Sequence, residues 1–117
     1  MIRLSDSQLN RLSQGNFADR MALLLHEKYP DELPDPADPE LRIFIQSQSD
    51  KARRHGFCKE REIATYVLTA WILGVDFDTA MPAVAECLAT PTMPPAQKAD
   101  WLEAYTVTLL DTLGHTA

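Results

Sequence analysis

The 117-residue sequence contains only two cysteines, four glycines and no long apolar stretch. A membrane-crossing helix needs roughly 20 mostly apolar residues, and the longest apolar segments here, such as Ala70–Val75, are far shorter. Cys58 and Cys87 form no CxxC pair, so we expect reduced thiols rather than a disulfide. Neither a membrane-spanning protein nor a disulfide-stapled scaffold is therefore expected.

Positive charge is also scarce, with 11 Lys and Arg against 17 Asp and Glu and a formal net charge of −6. Nucleic-acid binding requires clustered bases that displace counterions, so we expect no nucleic-acid partner. Five bases nevertheless fall within residues 51–62, and they define what we call the basic collar: Lys51, Arg53, Arg54, Lys59 and Arg61. Two interpretations stay open, a solvated helix face or a docking patch for an acidic protein.

Chain length and composition fit one folded domain spanning residues 1–117. Apolar residues make up 45% and charged residues 24%, which are values typical of globular proteins. The N-terminus turns polar at once and has no apolar segment of the kind found in secretory signals. We therefore expect a cytoplasmic protein.

Apolar spacing predicts helices throughout the chain. Ser5–Gln8 matches a capping box, and a helical stripe continues to Tyr29, although Gly15-Asn16 interrupts it. Whether residues 5–29 form one helix or two is left open. Four of the eight prolines lie in residues 30–39 and predict a loop there.

Asp38 and Pro39 are a good N-cap and first residue for the next helix, which Gly56 is placed to end. A nearly all-apolar helix follows and should end at Gly74, which suggests a central position in the core. A short helix, a second proline loop at about 90–95 and a last helix complete the chain. The predicted fold is an all-α bundle of five to six helices.

The sequence contains two partial matches to metal-binding motifs, and each lacks a required residue. His26-Glu27 begins like a zinc-protease helix, but Pro30 occupies the position of the second histidine. Residues 31–42 space their acids like a calcium loop, yet Pro36 and Arg42 stand where glycine and glutamate are required. We predict no metal site, no cofactor and no catalytic residues.

Two pairs of residues are weaker candidates for catalytic chemistry. Asp76 and Asp78 could act as paired carboxylates, but aspartates at helix-flanking turns are chiefly capping residues. His55 and Cys58 could form a nucleophilic dyad, although no orienting Asn or Asp is evident. Structural roles are the preferred interpretation, as they are for the bulky aromatic residues, which we expect to be core anchors: Trp71, Phe77 and Trp101.

Several short segments carry a resemblance to a known family: Leu4–Leu9, Phe17, Leu24-Leu25, Tyr29-Pro30, Ala52–Phe57, Glu60, Glu62 and Trp71–Asp78. On these features the chain resembles small helical proteins encoded beside spike, PAAR and effector genes of type VI secretion in Gram-negative bacteria. Cys58 departs from the pattern, since such proteins have Ser or Thr after the Gly-Phe turn.

This resemblance implies an accessory role without catalysis. Such a protein would be a co-adaptor or chaperone that helps to load a toxic effector onto the secretion spike, together with a larger adaptor protein. An immunity protein that plugs a toxin's site is the alternative, because proteins of that class are also small and often acidic. The expected partner is therefore another protein, with the basic collar as the candidate surface.

Overall fold

The computed structural model describes residues 17–112, and every regular element in that range is a helix. The predicted capping box at Ser5–Gln8 and the interruption at Gly15-Asn16 lie outside the described residues. The all-α fold class is confirmed. The helices are α1 (Phe17–Lys28), α2 (Pro39–Arg54), α3 (Glu60–Leu73), α4 (Phe77–Ala80), α5 (Pro82–Ala89) and α6 (Pro95–Thr112).

Helix α2 begins and ends where its sequence predicts. The Asp38 carboxylate accepts a hydrogen bond of 2.9 Å from the backbone N–H of Glu40, and Pro39 fills the first helical position, where no N–H is needed. At the other end Gly56 has φ +93°, a left-handed conformation that glycine adopts without Cβ strain. The chain therefore reverses here with few residues and leads directly into α3.

The start of α3 is capped by a glutamate rather than by the residue before the helix. Glu62 Oε1 accepts from the backbone N–H groups of Cys58 and Lys59, at 3.2 and 3.3 Å. Glu62 is the third residue of the helix, and its side chain reaches back to the amides at and just before the N-cap, as the glutamate of a capping box does. Because Glu62 is itself buried, the α2–α3 junction is anchored to the core at this point.

Helix α3 is the central element of the bundle, as its composition predicts. It packs against α1, α2 and α6, so that side chains on several of its faces lose contact with water. Burial of a large apolar side chain contributes on the order of 2 kcal/mol. The residues of α3 that lie almost wholly inside are Ile63, Ala64, Tyr66, Val67, Leu68, Thr69 and Ala70.

Aromatic side chains connect the helices around this core. Trp71 is half-buried and contacts both Tyr29 and Phe44, with ring centroids 5.9 and 5.7 Å away. Phe77 is fully buried, and its centroid lies 4.9 Å from that of Tyr66. Trp101 is half-buried, packs against the core and stacks on Tyr105. The interpretation of the bulky aromatics as anchors agrees with these contacts.

After α3 the chain turns sharply into α4 and α5. Helix α3 ends at Gly74, as predicted, but the left-handed conformation expected of a C-terminal glycine is present only in part: its φ of +108° is positive, while its ψ of 155° lies outside the left-handed helical basin. A residue with a Cβ would be strained there whatever the surrounding space. This turn brings Phe77 and Asp78 back against the α2–α3 hairpin.

Candidate partner-binding site

The basic collar lies where α2 ends and α3 begins, and the structure divides its residues into two groups. Lys51, in the last turn of α2, points inward. Its ammonium donates to the Val75 carbonyl at 2.6 Å and to Asp78 Oδ1 at 3.1 Å, and its side chain is 21% exposed. Lys51 therefore joins α2 to the turn after α3.

Asp78 is the centre of a buried polar network. Its Oδ2 accepts a hydrogen bond of 3.1 Å from the Tyr66 hydroxyl and lies 3.2 Å from His55 Nε2. With Lys51 on Oδ1, the carboxylate has three partners from α2, α3 and the residue that follows α2. The network connects two segments, the end of α2 and the middle of α3, to α4 through one carboxylate.

The pKa values in this network follow from its geometry. Burial opposes ionisation of Asp78, but hydrogen bonds from His55, Lys51 and Tyr66 together lower the pKa of its carboxyl group. Burial and the adjacent Asp78 charge raise the pKa of Tyr66. The phenol thus remains a neutral donor and the carboxylate an ionised acceptor, a combination that stabilises the fold.

The remaining collar cations point outward. Arg54, Lys59 and Arg61 are exposed, and their side chains have no hydrogen bond or ion pair within the part of the chain that the structure describes. Arg53 is also exposed and makes one loose contact of 3.4 Å with Asp50. Three cations are therefore available to a partner without the loss of any internal contact.

A groove of about 140 Å³ adjoins this cluster and separates the start of α3 from α6. Lys59 and Arg61 line one side, while Asp100 and Glu103 line the other. Opposite charges thus face each other across a cleft that water can enter. Small side chains on α6, Ala96 and Ala99, leave this space open.

The exposed charged side chains of residues 63–112 are all acidic. Lys98 is the only Lys or Arg after Arg61 in the chain, and it is 8% exposed because its ammonium donates to the buried Leu88 carbonyl at 2.8 Å. Residues 63–112 therefore supply no exposed Lys or Arg themselves, and two of their acids, Asp100 and Glu103, face Lys59 and Arg61 across the groove. The exposed acidic residues of this part are Asp76, Glu86, Asp100 and Asp111.

The structure does not bring the members of either candidate catalytic pair, His55 with Cys58 or Asp76 with Asp78, into contact through a hydrogen bond among the described residues. His55 faces Asp78, and within residues 17–112 no hydrogen bond links it to the exposed Cys58. Asp76 lies on the surface, whereas Asp78 is buried, so the two carboxylates have different environments. No group of three His, Cys, Asp or Glu side chains among the described residues could hold a metal ion.

Sequence reasoning missed the network around Asp78. Asp78 is 12 to 27 positions away from each of its partners along the chain, and helical periodicity carries no information about such distant pairs. One signal was available, since Lys51 and His55 are four residues apart at the end of α2 and share a face.

No family model, curated protein or solved structure matches this chain. Of the helices in residues 17–112, none has the length and apolar character needed to cross a bilayer.

Proposed function

We propose that this chain is a non-enzymatic binding protein that holds an acidic segment of another protein at Arg54, Lys59 and Arg61. The observation that carries the proposal is the exposure of these three cations without internal partners, at one junction of an otherwise acidic chain. Charges that contribute nothing to the fold are free to select a partner by complementarity.

The class of partner follows from the resemblance to proteins of type VI secretion loci. In that setting the partner is an effector or its larger adaptor, and this protein is a cytoplasmic co-adaptor or chaperone for effector loading. A rigid helical hairpin is a suitable platform, because Gly56 and Glu62 hold the junction in one conformation. The proposed role requires no bond to be made or broken.

Charge reversal tests this proposal directly. Arg54→Glu combined with Arg61→Glu should abolish co-purification of the effector or adaptor encoded beside the gene, because both contacts become repulsive. Glu86→Lys combined with Asp111→Lys reverses the same number of charges on the acidic surface and is the matched control. Undiminished capture by the collar variant would remove the collar from the function.

An immunity protein is the second candidate, and the acidic surface of residues 76–111 favours it. Exposed carboxylates in a segment that exposes no Lys or Arg would suit the basic active site of a toxin that acts on nucleic acid. In that case the Glu86→Lys and Asp111→Lys variant, and not the collar variant, should lose binding. Deletion of the gene would then sensitise cells to toxin from their neighbours, whereas loss of a co-adaptor would stop delivery without self-poisoning.

A further inference from the structure

Helix α2 carries an exposed face that ends at the collar. Its inward positions bury Leu41, Ile45 and Ala52, so the opposite positions face outward. Ile43 on this outer face is 68% exposed, more than Leu23 and Val75, the other exposed large hydrophobic residues within residues 17–112. A shallow concavity of about 350 Å³ runs along the face and is lined by Ile43, Gln46, Ser47, Asp50 and Arg54.

The charges on this face are unevenly compensated. Asp50 Oδ1 accepts from Gln46 Nε2 at 3.0 Å and lies 3.4 Å from Arg53 Nη1. Its negative charge is thus partly satisfied by neighbours on the same helix. Arg54 has no such partner among the described residues. The face therefore offers an apolar anchor at one end and an unpaired cation at the other.

We infer that the outer face of α2 binds an acidic amphipathic helix of the partner protein, an inference that rests on the proposed function of the collar. Ile43 and Arg54 are eleven residues apart, which is about 16 Å along a helix. A partner helix laid along α2 would contact Ile43 through one apolar side chain and reach Arg54 with a carboxylate three turns away.

Charge complementarity selects this occupant over a basic one. A basic helix would place its cations against Arg54, which has no ion pair among the described residues. A second copy of this chain is disfavoured by the net charge of −6, which makes two copies repel each other. The exposed isoleucine also distinguishes the site from a purely electrostatic patch, since covering its side chain requires an apolar group.

The test uses a labelled, helix-stabilised peptide in which a leucine is followed eleven positions later by the first of three glutamates. Fluorescence anisotropy with the full chain should detect binding that weakens as NaCl rises from 50 to 300 mM. Ile43→Ala should weaken binding about tenfold, and Arg54→Glu by more than that. Leu23→Ala, which trims an exposed leucine on α1, is the matched control and should stay within twofold.

Two further peptides make the outcome decisive. Replacement of the glutamates by lysine, or of the leucine by glutamine, should remove most of the affinity. The inference is overturned if Ile43→Ala and Arg54→Glu bind the acidic peptide as the unaltered protein does, if no peptide binds, or if the lysine peptide binds as tightly. Circular dichroism melting of each variant excludes unfolding as the cause of a loss.

The same variants separate this inference from the proposed function. If the natural partner is still captured by Ile43→Ala but lost in the Arg54→Glu and Arg61→Glu double variant, the collar function stands and the α2 docking mode is wrong. If neither variant loses the natural partner, both fail. Loss in both, with retention by Leu23→Ala, supports the two together.

Discussion

Two groups of basic residues lie within eleven positions of each other, and they have opposite environments. Lys51 and His55 reach the buried Asp78 and connect α2 to α4. Arg54 and Arg61 lie on the surface without internal partners among the described residues. A cluster of bases in sequence can therefore contain both residues that stabilise the fold and residues that are available to a partner. The two kinds differ in whether the base lies next to a buried acid such as Asp78.

The structural half of this comparison predicts the largest effect. Asp78→Ala should lower the free energy of unfolding by about 3 kcal/mol, because Lys51 and the Tyr66 hydroxyl lose a buried acceptor. Urea denaturation at pH 7 measures the loss. Asp76→Ala, which removes an exposed carboxylate that caps nothing, is the control and should change stability by less than about 0.5 kcal/mol. Equal effects would contradict the network.

Low pH should remove the stabilisation that ionised Asp78 contributes. The pKa of Asp78 is lowered in the folded protein from an ordinary value of 3.8, so its contribution is complete above that pH and is lost as the pH falls through the folded-state pKa. The stability difference between the unaltered protein and Asp78→Asn should therefore be constant from pH 7 to 5 and shrink below pH 3.8. A difference that persists at low pH would show that ionisation of Asp78 is unimportant.

The turn that brings Asp78 to the network depends on Gly74. Gly74→Ala should cost about 1 to 2 kcal/mol, because φ +108° is unfavourable for any residue with a Cβ, although no atom lies within 4 Å of the added methyl group. Thermal unfolding followed by circular dichroism gives the change. Ser47→Ala on the exposed face of α2 is the control and should be neutral or slightly stabilising.

The surface half of the comparison predicts the smallest effect on stability. Arg54→Glu and Arg61→Glu together should alter the free energy of unfolding by less than about 0.5 kcal/mol, because exposed charges without partners contribute little. Urea denaturation beside Lys51→Ala, which should be clearly destabilising, makes the contrast direct. If the collar double variant unfolds as readily as Lys51→Ala, the division into structural and available cations is wrong.

The helical architecture could be predicted because its signals are local. Asp38-Pro39, Gly56 and the apolar spacing of residues 60–73 determine where α2 and α3 begin and end, through hydrogen bonds and backbone conformations within a few residues. The same local chemistry explains why Pro95 begins α6. The central position of α3 also followed from sequence, since a helix apolar on most sides must be covered by neighbours.

The candidate site could be predicted only in part. All five bases of the collar were identifiable from sequence. Which of them face inward was not, because Lys51 and Arg54 are both basic residues in the last turn of α2 and only the folded chain brings Asp78 to Lys51. The capping role of Glu62 was also missed. The residues at the helix start did not indicate that the side chain at the third helical position would accept from the backbone N–H groups of Cys58 and Lys59.

Sequence by itself determined that this chain forms helices, where most of them begin and end, and that its few bases cluster at one junction. Tertiary structure decided which of those bases remain available to a partner. The reason is that helix formation depends on contacts within a few residues, whereas the ion pair that withdraws Lys51 from the surface joins positions 27 residues apart and exists only once the turn at Gly74 has folded back.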